Sequence, residues 1–125
     1  MAVATYIQQA AHEIRNAIGA LHSEISSIQH ESLAQETRLK NDADKAENEA
    51  GLLRLRAASA TEIGREVGYE ARRAALEIEA RQKRQAADKQ SADVAQLVQA
   101  KTSLLNNLES AASQLDRMAS SSSAN

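Results

Sequence analysis

The chain has 125 residues, and Ala, Glu, Leu, Arg and Lys supply 26, 12, 12, 10 and 5 of them, the composition of long helices and coiled coils. The lack of cysteine excludes disulfides, thiolate metal sites and a cysteine nucleophile, and the lack of proline removes the commonest helix breaker. Net charge is −2 with both signs mixed along the chain, which argues against a strong field for nucleic acid or anionic lipid.

Leu, Ile, Val and Met number 25, and the aromatics are Tyr6 and Tyr69 alone. This is too little for a globular core rich in large side chains. It suits a narrow apolar seam, buried against another helix of the same chain or of a second one. Without Phe or Trp there is little base-stacking platform, so nucleic acid is not an expected partner.

The first residues, Met1 to Tyr6, lack a basic region followed by an apolar core, so a cleaved signal peptide is not expected. No stretch approaches the ~18 apolar residues of a membrane span. The expectation is a cytoplasmic protein.

Thr5 with Gln8 fits a capping box and a helix start. From there Ile7, Ala11, Ile14, Ile18, Leu21, Ile25 and Ile28 follow steps of four and three, the heptad pattern of a coiled-coil seam. Of these, Ile7, Ile14, Ile18, Leu21, Ile25 and Ile28 are the candidate interface.

Beyond Ile28 one seam position stays apolar at Leu39, Ala46, Leu53, Ala60, Val67 and Ala74. The other turns polar at Gln35, Asp42, Glu49 and Arg56. The pattern predicts exposure or a break, with Asn41 to Asp44 and Gly51 as candidate breakers and Gly51 as a possible C-cap. Ser59 with Glu62 is a second capping box. Ala60, Gly64 and Gly68 form a small-residue stripe, open either to a close backbone or to nothing.

Residues 69–89 are dense in charge, with Glu77/Arg81 and Glu79/Lys83 spaced as i,i+4 pairs on a solvated helix. Apolar periodicity resumes at Val94, Leu97, Val98, Leu104, Leu105, Leu108, Leu115 and Met118, slipped by about one residue. The slip predicts a break or a stutter between Ile78 and Val94, with Asp88 and Ser91 as possible caps.

The expected fold is therefore all-α and elongated. It is either an antiparallel helical hairpin with its turn between about 49 and 60, or a three-helix coiled-coil bundle with helices of about 4–48, 53–88 and 91–118. Both form a single domain, 1–119, followed by a disordered Ser-rich tail, 120–125.

Little in the chain reads as reaction chemistry. His12, His22 and His30 never fall at the His-x-x-x-His or Glu-x-x-His spacing that puts metal ligands one turn apart. Neither a glycine-rich phosphate loop nor a Gly-x-Ser-x-Gly elbow occurs. No enzyme activity, cofactor, metal or small-molecule substrate is expected.

One segment carries a further suggestion. Ala11-His12-Glu13-Ile14-Arg15-Asn16-Ala17-Ile18-Gly19-Ala20-Leu21 resembles the H-box of the phosphoacceptor and dimerisation domain of bacterial sensor histidine kinases. That segment reads His-Glu-(Leu/Ile)-(Arg/Lys)-(Asn/Thr)-Pro-Leu, and Ala17 stands here in place of its proline. The resemblance implies a helical hairpin that dimerises into a four-helix bundle. It implies His12 as phosphoacceptor, Glu13 as the adjoining acid–base group, and Asn16 as the holder of a water for dephosphorylation. The family's ATP-binding boxes are absent, so such a chain would receive phosphate from another kinase.

The leading expectation is a non-enzymatic coiled-coil scaffold or adaptor that associates with itself or with another helical protein. The alternatives are a histidine–aspartate phosphorelay module using His12, and amphipathic binding to a membrane surface. The last is disfavoured, because the first helix lacks Trp or Phe anchors and a Lys/Arg-rich polar face.

Overall fold

Alanine, leucine, glutamate and arginine lose little side-chain freedom in a helix, and almost the whole chain takes that form. The computed structural model describes the backbone of residues 2–124 and the side chains of residues 3–121. Two helices account for nearly all of it: α1, Ala2–Ser59, and α2, Ile63–Ala124, with no strand among the described residues. The helices pack against each other, and all-α is the fold class.

The helix ends differ from the expected ones. α1 starts at Ala2, ahead of the Thr5 capping box. The link is only residues 60–62. Ser59 does not cap the second helix. Its hydroxyl donates instead to the Leu55 carbonyl, 2.7 Å away in the last turn of α1. The Glu62 carbonyl accepts from the backbone N–H groups of Arg65 and Glu66, each at 3.1 Å, and so opens α2. Glu66 lies in that first turn, where the helix dipole favours an anion.

The boundaries expected near 48–53 and 88–91 fall inside continuous helix. Gly51 keeps ordinary helical dihedrals. Its cost of about 1 kcal/mol relative to Ala is outweighed by burial of Ala50 and Leu53 on either side. Ser120 to Ser123 also continue α2, where a disordered tail was expected, because helix propagates readily from a packed turn. Asn125 lies outside the described residues.

The chain divides into two compact units, Met1–His30 with Val94–Asn125, and Glu31–Asp93. In the second, the helix segments run antiparallel, as the partner numbers show. Arg54 pairs with Glu77 at 3.3 Å, Arg72 with Glu49 at 3.1 Å, and Lys83 with Asp42 at 3.6 Å. Its core is small: Ala43, Ala46 and Ala80 pack together, with Leu76 against them, and Ala50, Leu53, Ala57 and Ala87 are also buried.

The first unit is antiparallel as well. Arg15 pairs with Asp116, His22 with Glu109 at 3.8 Å, and Lys101 with Glu24 at 2.7 Å. Among the described residues, Ala11, Leu21, Leu105, Ala112 and Ala119 are buried in it. No large side chain among the described residues is fully buried in either unit.

The inward residues of each helix follow steps of three and four with one additional four. In α1 it falls at Ile28, Ser32 and Glu36, and in α2 at Gln90, Val94 and Val98. These are the stutters that allow a continuous helix to change its inward face. In α2 a stutter, one of the two readings of the slip before Val94, thus takes the place of a break. In α1 the inward positions past Leu39 become Ala43, Ala50 and Ala57. Asp42, Glu49 and Arg56, expected in the seam, move one step out to its exposed edge.

Candidate functional site

The expected interface residues lie in the first unit, on the side of α1 turned toward α2. Leu21 is buried, and Ile7, Ile14, Ile18, Ile25 and Ile28 are half-buried. The seam is therefore used within the chain.

Heptad columns give the two flanks of this unit. On one flank α1 presents Gln8, Arg15 and His22, and α2 presents Thr102, Glu109 and Asp116. The pairs Arg15–Asp116 and His22–Glu109 close this flank. On the opposite flank α1 presents Val3, Ala10, Ala17 and Glu24, and α2 presents Leu97, Leu104, Ala111 and Met118. Among the described residues the crossing pair here is Lys101–Glu24. Val3, Leu97, Leu104 and Met118 keep 63%, 45%, 50% and 53% of their surface exposed.

α2 thus carries three neighbouring apolar columns in this unit. Val98, Leu105, Ala112 and Ala119 are the inner one, Val94, Leu108 and Leu115 the middle one, interrupted by Lys101, and Leu97, Leu104, Ala111 and Met118 the outer one. One helix partner covers two columns, and a three-column face is the pattern of a helix in a larger bundle. The seven-residue spacing of the outer column is visible in the sequence. Without the burial pattern it merges with the resumed periodicity, and these residues are missed.

The second unit closes both its flanks with ion pairs, while Leu52, Leu55, Ile63 and Val67 stay exposed near its turn. One side is closed by Arg54–Glu77 and by Arg84, which reaches Asp44 at 2.7 Å and Glu47 at 2.9 Å. The hydrogen bonds that the Arg84 guanidinium donates, first to Glu47 and then to Asp44, hold it above its ordinary pKa. The other side is closed by Arg72–Glu49 and Lys83–Asp42. An open groove of about 500 Å³ between Glu47, Glu77, Arg81, Arg84, Gln85 and Asp88 belongs to this ion-paired surface. Gly64 and Gly68 face open space, with no atom within 4 Å of an added Cβ, so the small-residue stripe admits no close backbone within the chain.

His12, Glu13 and Asn16 are all exposed on α1, with Asn16 one turn beyond His12. Arg15, between them, is held on Asp116. Among the described residues no group of three or more His, Cys, Asp or Glu could hold a metal ion. Among the described residues no helix is long and apolar enough to cross a membrane. No protein-family model matches the chain, and no curated protein or solved structure matches it.

Proposed function

We propose that the chain is a non-enzymatic interaction protein, a two-helix antiparallel hairpin rather than a three-helix bundle. It works by packing an apolar helix face on a second copy or on another helical protein. The observation that carries this reading is the three-column apolar face of α2 over residues 94–119, of which α1 covers two columns. A cytoplasmic location belongs to the same reading.

The test is sedimentation over a concentration series, with chemical cross-linking in the native host beside it. The expected result is self-association or a cross-linked helical partner. Both are lost in Ile14→Asp, which places a charge in the half-buried seam and opens the first unit. A chain that stays monomeric and cross-links to nothing overturns the reading.

A second reading rests on the exposure of His12 with Asn16 one turn away. Here His12 accepts a phosphoryl group from a separate kinase and passes it on, with its imidazole nitrogen as nucleophile. His12→Ala separates the two. It leaves an interaction protein unchanged and abolishes a relay, and phosphohistidine at position 12 in the wild type would decide for the relay.

A further inference from the structure

We propose that a second copy of this chain docks on the apolar flank of the first unit, the surface formed by Leu97, Leu104 and Met118 of α2 with Val3, Ala10 and Ala17 of α1. This deepens the interaction reading and rests on it. The ion pairs of this unit set an antiparallel register in which Ala10 lies near the level of Met118, Ala17 of Ala111 and Glu24 of Leu104.

The occupant follows from charge and area. Glu24 and Lys101 are joined at 2.7 Å, and Glu13, in the next column of α1, is a further charge beside this flank. With this pair neutralised, the flank offers little net field to select a charged foreign partner. The other flank of the unit and both flanks of the second unit are laced with ion pairs.

Residues 3–24 and 97–118 give about 33 Å of helix length, and two helix widths of about 10 Å each make roughly 650 Å² per copy. A symmetric pair then buries roughly 1,300 Å², inside the range of specific interfaces.

The experiment is sedimentation equilibrium on the wild type, Leu104→Glu and Ile78→Glu, with circular dichroism as the folding control. Leu104 and Ile78 are equally exposed, at 50% and 51%, but Ile78 lies on the outward side of the second unit. The wild type and Ile78→Glu form dimers, and Leu104→Glu weakens dimerisation by at least about tenfold while remaining helical, since a buried glutamate in each copy is unpaired.

The absence of cysteine allows a second measurement that introduces no charge. Single nitroxide labels are placed at Leu104→Cys and at Thr102→Cys on the ion-paired flank. The distance between copies is shorter at 104 than at 102. A monomeric wild type, a dimer indifferent to Leu104→Glu, or a shorter distance at 102 overturns the proposal. If the wild type is monomeric but cross-links to a different helical protein, this proposal fails and the broader interaction reading stands.

Discussion

Ala43 and Ala80 have at most 1% of their surface exposed, and Ala46 packs with them. Methyl groups at the crossing let two helix backbones approach closely, so packing is gained through proximity rather than through large side chains. Such a core tolerates enlargement poorly. Ala43→Leu is expected to destabilise the protein by about 1–3 kcal/mol through overpacking. Denaturant unfolding checks this, and Leu39→Met, a near volume-conserving change at a half-buried position, is the control expected to cost less. The peripheral charges act differently. Glu70 first, then Glu77, hydrogen-bonds the Arg73 guanidinium and raises its pKa, and Glu36 does the same for the Lys40 ammonium. These cations stay charged across the physiological range, so the pairs define the solvated flanks of the second unit without acting as a pH switch there.

Each helix runs through residues that could have ended it. Gly51 is the clearest case, a glycine in mid-helix with ordinary dihedrals and open space where a Cβ would go. Gly51→Ala is therefore expected to stabilise the protein by about 0.5–1 kcal/mol, because it removes backbone freedom from the unfolded chain without a clash. A loss of stability in thermal or denaturant unfolding would mean that Gly51 caps a helix end after all. The stutters at 28–36 and 90–98 show how α1 and α2 stay continuous while their inward faces change.

The whole chain combines two solutions to the same problem, that a helix pair buries little. The second unit closes its edges with ion pairs over an alanine core. The first keeps Ile and Leu in its seam and leaves one flank apolar. Amide hydrogen exchange can tell these apart in a single sample. If a second copy docks as proposed, raising the protein concentration slows exchange over residues 3–24 and 97–118 and leaves residues 39–57 and 70–87 unchanged. Equal slowing in both units would place the association elsewhere.

Much of this was legible beforehand. Half the chain in Ala, Glu, Leu, Arg and Lys, without proline, determined an all-helical protein, because each of these residues favours helix and little interrupts it. The 3–4 spacing from Ile7 to Ile28 determined a seam, since that spacing repeats on one helix face. The sequence also placed His12, Glu13 and Asn16 on one helix, and the structure leaves all three exposed. Tertiary structure decided the rest. Whether Gly51 or Ser91 ends a helix depends on burial of neighbours a turn away, which local propensity does not contain. Which of three adjacent apolar columns faces inward depends on the antiparallel partner and its ion pairs. Only that pairing separates Leu105, turned inward and buried, from Leu104, one residue away and half exposed.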